Sequence, residues 1–121
     1  MHPLLILTRA WSLLRIDRSV PLRAERAGSG VRSLTASLDL RLGLVLTGHD
    51  LGPSAPDGER EWWRRVRRRD VPALLVALGE PLWADPLVAL RRQDSQRPGG
   101  VADRLERALA DGVVPSSLQV R

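Results

Sequence analysis

The chain has no cysteine, no lysine, no asparagine, no phenylalanine and no tyrosine, and isoleucine occurs only at Ile6 and Ile16. Each absence excludes something. Without cysteine there is no disulfide, no thiolate metal site and no cysteine nucleophile. With four tryptophans as the only aromatics (Trp11, Trp62, Trp63 and Trp83), the core has to be built mainly from Leu, Val and Ala. The only histidines are His2 and His49, too far apart in sequence to form an HExxH-type zinc motif. No apolar run reaches the ~18 residues that would suggest a membrane-spanning helix. Leu4-Leu5-Ile6-Leu7 is too short for the apolar core of a signal peptide, and Arg9 follows almost at once.

What is present is arginine. All 19 basic residues are Arg, against 14 acids, for a net charge of +5. The missing residue types largely have A/T-rich codons, whereas Arg, Ala, Gly and Pro have G/C-rich ones. The vocabulary therefore points to a high-GC genome. The excess charge lies toward the N-terminal side: residues 1–49 carry net +4, residues 50–70 net +1, and residues 71–121 are balanced.

A length of 121 residues suits a single domain, and 43% hydrophobic with 27% charged residues is ordinary for a folded one. Residues 1–9 read as an N-terminal extension and residues 10–121 as the domain. Leu4, Leu7, Trp11 and Leu14 form a helical stripe beside Arg9, Arg15 and Arg18. Such a stripe reads as a buried first element in preference to an interfacial membrane helix.

The first half has strand patterning. Ala10–Ile16 suits a buried strand, followed by a turn at Asp17-Arg18-Ser19. In Leu22–Ala27, Leu22 and Ala24 alternate against Arg23 and Glu25, and Gly28-Ser29-Gly30 marks a turn. Leu34, Ala36, Leu38, Leu40 and Leu42 alternate with polar residues, the clearest period-two signal in the chain. Gly43 breaks or bulges the pattern, Leu44-Val45-Leu46 continues as a strand, and His49–Gly58 reads as a loop. Glu59–Arg69 fits a strand better than a helix, because it lies between that loop and a strong helix start. Its alternation puts Trp62, Arg64 and Val66 on one side and Glu61, Trp63 and Arg65 on the other.

The second half is helical. Asp70-Val71-Pro72 and Asp85-Pro86 are start signals. Leu74, Leu75 and Leu78 are the buried face of the first helix, which Gly79 ends. Leu87, Val88 and Leu90 serve the second helix. The third runs from about Val101 to Asp111, with Val101, Leu105, Ala108 and Leu109 as its stripe and Gly112 after it. Leu118-Gln119-Val120 suits a last strand. This order predicts an α+β fold: a mainly antiparallel sheet with about three short C-terminal helices on one face.

Chemistry is sparse. His49-Asp50 offers two parts of a hydrolytic triad, but there is no G-x-S-x-G elbow, and Ser29 sits in a turn signal. Neither Gly28-Ser29-Gly30 nor Gly48-His49-Asp50-Leu51-Gly52 leads into a helix as a phosphate cradle does. No catalytic, cofactor or metal-binding residue is assigned. The strongest feature is Arg64-Arg65-Val66-Arg67-Arg68-Arg69 beside Trp62-Trp63. Clustered guanidinium groups neutralise phosphates or grip acidic protein surfaces, and an exposed Trp beside Arg is typical of interface hot spots. Set against this, Asp50, Asp57, Glu59, Glu61 and Asp70 flank the run and reduce its net field, so that a merely solvated edge strand is the competing reading.

At Glu61-Trp62-Trp63, followed by Asp70-Val71-Pro72-Ala73-Leu74-Leu75 and Ala77-Leu78-Gly79, the chain resembles small proteins of high-GC, actinobacterial-type genomes. The resemblance covers residues 10–121. It implies an antiparallel sheet with an E-W-x-x-V strand and short C-terminal helices, and it carries no activity or site. The expectation is a cytoplasmic, non-enzymatic interaction module whose contact residues are Trp62, Trp63, Arg64, Arg65, Arg67 and Arg68. Its expected partner is a protein with an acidic surface; the alternative is arginine-mediated binding of nucleic acid.

Overall fold

Leu34, Ala36 and Leu38 alternate along one strand, and the sheet continues that apolar row sideways. A computed structural model describes residues 19–27, 30–52 and 59–121. In it β2 (Gly30–Leu38) pairs antiparallel with β3 (Leu44–Leu51), bringing Ala36 opposite Leu46 and Leu38 opposite Leu44. Next, β4 (Glu59–Val66) pairs antiparallel with β3, putting Val66 beside Leu44. On the other side β1 (Ser19–Ala27) pairs with β2, and β5 (Ser117–Val120) pairs with β4. The result is a five-stranded antiparallel sheet in the order β1-β2-β3-β4-β5.

Between β4 and β5 the chain forms a 3-10 turn (Arg68–Asp70) and three helices: α1 (Val71–Ala77), α2 (Pro86–Gln96) and α3 (Gly100–Ala110). The helices cover one face of the sheet, so the expected α+β arrangement is present. Val20, Leu22, Leu34, Ala36, Leu38, Leu44, Leu46 and Val66 from the sheet meet Leu74, Leu75, Leu78, Leu90, Leu105 and Leu109 from the helical segment in one buried cluster. The buried Arg23 side chain ties β1 to α3, through Glu106 at 2.8 Å and through Asp103.

Several local expectations need correction. The Leu34–Leu42 alternation overshoots the strand, which ends at Leu38; Leu40 and Leu42 are exposed in a hairpin turn. Asp39 organises that turn. Its carboxylate accepts from the backbone N–H groups of Arg41 (2.8 Å) and Gly43 (2.9 Å), a local alternative to sheet pairing. In β1 the register shifts between Pro21 and Arg23, so Leu22 and Arg23 are buried while Ala24 is exposed. The bulge inserts one residue and breaks the expected pairing of Leu22 with Ala24 on one face. His49, Asp50 and Leu51 extend β3 and are not loop. Ser19, expected in a turn, begins β1.

Of the two helix starts, only Asp85 caps with its side chain, accepting from Leu87 N–H at 3.0 Å and Val88 N–H at 3.2 Å. Asp70 makes no such bond, because the 3-10 turn leads directly into α1. Val88 is exposed, and Ala89 takes the buried position on α2. Gly79 and Gly112 end α1 and α3 with φ of +80° and +74°, a conformation that favours glycine. The expectations for residues 1–9, Ala10–Ile16 and the Gly28-Ser29 turn lie outside the described residues.

Candidate functional site

Alternation along β4 separates the two neighbouring indoles. Trp62 faces the helices, registers with Gly48 and Val120, and packs against the core. Trp63 lies on the opposite, open face, in a row with Thr47 and Gln119. Both are half-buried. The expectation of one indole on each side therefore holds, with Trp62 as the core residue.

The same alternation divides the arginines. Arg64 turns to the helix side and donates to Ser116 Oγ at 3.0 Å. Arg65 lies on the open face and pairs with Asp39. The strand stops at Val66, short of the expected Arg69; Arg67 precedes the 3-10 turn, and Arg68 and Arg69 lie within it. These last three arginines project from the end of the sheet and are all exposed.

A cleft forms at that end. Arg41 and Gly43 from the β2–β3 turn, Arg65, Arg67, Arg68, Arg69 and Asp70 from the end of β4, Pro72 at the start of α1, and Pro115, Ser116 and Ser117 line it. A shallower depression adjoins it on the open face, lined by Asp39, Leu40, Val45, Trp63 and Gln119. Arg41, Arg65 and Ser117 line both. The Trp63 surface and the arginine cleft are thus continuous.

Charge on the cleft lining is mainly positive, five Arg against Asp70. Among the described residues, Arg41, Arg67, Arg68 and Arg69 make no ion pair. Asp39 is occupied by two backbone N–H groups and Arg65. Burial pushes its carboxyl pKa up, but the bonds from Gly43 and Arg41 and the Arg65 guanidinium outweigh this and hold it below the ordinary value. Asp70 is the carboxylate on the cleft lining, and Asp39 lines the adjoining depression.

Of the acids that flank the run in sequence, Asp70 stays on the cleft lining, while Asp50, Glu59 and Glu61 lie away from it. Glu59 stands at the opposite end of β4, about 23 Å from Val66 along the strand. It bonds His49 Nε2 at 2.9 Å, Asp50 lies 3.8 Å from Arg32, and Glu61 lies 3.3 Å from Arg121. Asp57 is outside the described residues. At physiological salt, interactions between exposed charges more than about 8 Å apart are largely screened, so the acids away from the cleft do little to its field.

Of the six residues expected at the site, the structure groups Trp63, Arg65, Arg67 and Arg68. It places Trp62 and Arg64 on the other face. Sequence reasoning missed Arg41, whose turn was read as strand, and Pro115–Ser117, which reach the cleft only through β5 pairing. His49 and Asp50, adjacent in β3, point to opposite faces and cannot act together. Among the described residues no group of three His, Cys, Asp or Glu is placed to hold a metal ion, and no helix is long and apolar enough to cross a membrane. Compared with known proteins, the chain matches no family model, no curated protein and no solved structure.

Proposed function

We propose that the chain is a small non-enzymatic interaction module that binds a polyanionic partner through the arginine cleft and the adjoining open face of β4. One observation carries this reading. Arg41, Arg65, Arg67, Arg68 and Arg69 converge on one concave surface that holds a single carboxylate, Asp70, while Glu59 and Asp50 lie toward the far end of the strands and Glu61 pairs with Arg121. Guanidinium groups present planar forks that match carboxylate and phosphate oxygens, and a cluster with a net positive charge attracts either. An acidic protein segment and a nucleic acid both fall within this class. A cytoplasmic location belongs to the same proposal.

The test is a charge-matched comparison. One variant replaces Arg41, Arg67, Arg68 and Arg69 with Gln. The control replaces Arg91, Arg97, Arg104 and Arg107, exposed on the helical side. Binding to polyglutamate and to oligonucleotides is measured for both. The expected outcome is loss of polyanion binding in the cleft variant alone. Equal loss in the two variants would reduce the effect to net charge, and the cleft would have no role of its own.

A further inference from the structure

The cleft alone does not choose between carboxylates and phosphates, but the surface beside it does. We infer that the partner is single-stranded nucleic acid, its phosphates held in the arginine cleft and a base laid on Trp63; this rests on the reading of the cleft as the polyanion contact.

Three features point the same way. The first is continuity: Arg41, Arg65 and Ser117 border both the cleft and the Trp63 depression, so a chain lying in one reaches the other without crossing a ridge of carboxylates. The second is the indole itself. Trp63 is on the sheet face opposite the helices, in the Thr47–Trp63–Gln119 row, and among the described residues no helix lies over that face. A flat aromatic beside the guanidinium groups of Arg41 and Arg65 fits a ligand that alternates charge with flat rings. Nucleic acid has that alternation; an acidic peptide supplies the charge and leaves the indole unused. Stacking on aromatic side chains combined with a basic groove is how sequence-tolerant single-strand binders work.

The third feature is the set of neutral polar side chains on a lining that also carries Asp39, paired with Arg65, and Asp70. Ser117 and Gln119 line the depression next to Trp63, and Ser116 and Ser117 line the cleft. These side chains donate and accept, as base edges and phosphate or sugar oxygens require. The sheet-face position of Trp63 also selects between strand states. In a duplex the π faces are buried in the stack, so an indole on a sheet face has nothing to stack on. An unpaired strand splays its bases and exposes them.

The test uses the full chain and four fluorescent probes: a twelve-nucleotide oligo-dT, a twelve-nucleotide oligo-U, a duplex of the same length, and polyglutamate. The expected result is saturable binding to the single strands, weaker binding to the duplex, and affinity that falls with salt. With about 0.7 counterions released per phosphate contact, four cleft arginines predict a log–log salt slope of about −3 for the single strands. Trp63→Leu should lower single-strand affinity about tenfold, leave duplex affinity unchanged, and be rescued in part by Trp63→Phe. Circular dichroism establishes that each variant is folded, and Trp62→Leu, on the opposite face, should not change affinity. Preference for oligo-U over oligo-dT, or the reverse, identifies which strand chemistry is favoured, and either supports the inference.

Equal affinity for duplex and single strand, or indifference of both to Trp63→Leu in a folded protein, would overturn it. Arginine-dependent binding to polyglutamate without binding to either oligonucleotide would overturn the nucleic-acid inference and leave the interaction-module reading standing. A folded wild-type protein that binds none of the four probes would overturn both.

Discussion

Trp62 lies over Gly48: a Cβ built on Gly48 would clash with Cε2, Cζ2 and Nε1 of the indole ring. The two are register partners on β4 and β3, and Leu34 on β2 completes the row. Glycine is required here because the ring occupies the space that a side chain would take. Gly48→Ala should therefore destabilise the fold by about 1–3 kcal/mol, the usual range for overpacking. Shrinking the ring should relieve the clash, so the cost of Gly48→Ala should be clearly smaller in a Trp62→Leu background. Denaturant unfolding of the wild type, the two single variants and the double variant measures this coupling. Simple additivity would show that the indole does not sit where described.

The third helix provides a test of the packing. Leu105 is fully buried among sheet and helix residues. Leu105→Ala should cost about 2–5 kcal/mol, a large part of a small domain's stability. Val88 on α2 is 61% exposed although the sequence pattern groups it with buried neighbours. Val88→Ala should stay within about 0.5 kcal/mol of wild type. Comparable losses from the two substitutions would contradict the way the helices are seated on the sheet.

The fold was legible where hydrophobic period and boundary signals agreed. Leu34, Ala36 and Leu38, the start at Asp85-Pro86, and the stops at Gly79 and Gly112 were all readable. Period failed where one residue type continued past a structural boundary. Leu40 and Leu42 prolong the alternation into a turn that is set by Asp39 bonding its own backbone neighbours. It also failed at Arg23, because a bulge leaves no mark in composition and the ion partners Asp103 and Glu106 are 80 or more residues away. The candidate site was half legible. The arginine run and the opposed indoles could be read from β4 alone. Arg41 and the Ser116–Ser117 segment reach the cleft through strand pairing, which no local pattern encodes.

Leu42 tests the turn directly. It has φ of +61°, a left-handed conformation that costs a side-chain-bearing residue roughly 1–2 kcal/mol, and its side chain is 48% exposed. Leu42→Gly removes that strain and little packing. The expected result is stabilisation of up to about 1 kcal/mol, because the greater freedom of glycine in the unfolded chain offsets part of the gain. In a continuous strand the same change would weaken the sheet, and a lower unfolding midpoint would favour that alternative.

Acid should weaken the fold through Glu80. This carboxylate lies between α1 and α2, with its side chain 6% exposed. It accepts from Arg92 and from Gln93 Nε2 at 2.6 Å, while its own backbone N–H donates to Leu75 O at 2.8 Å. The bond from Arg92 is the main reason its pKa falls below the ordinary 4.5, with Gln93 adding to the effect and burial opposing it. A carboxyl with a lower pKa in the folded state stabilises that state when ionised. The contribution is complete above the unfolded value and is lost as pH falls through the folded one. Glu80→Gln keeps the shape and removes the charge, so it should lower the thermal midpoint most at neutral pH. The gap to wild type should then narrow below pH 4.5 as the wild-type carboxyl takes up its proton. Asp39 titrates in the same direction in both proteins and cancels in the comparison. Thermal midpoints recorded against pH for the two proteins decide the matter: curves that stay parallel down to acid unfolding would remove Glu80 as a source of the pH dependence.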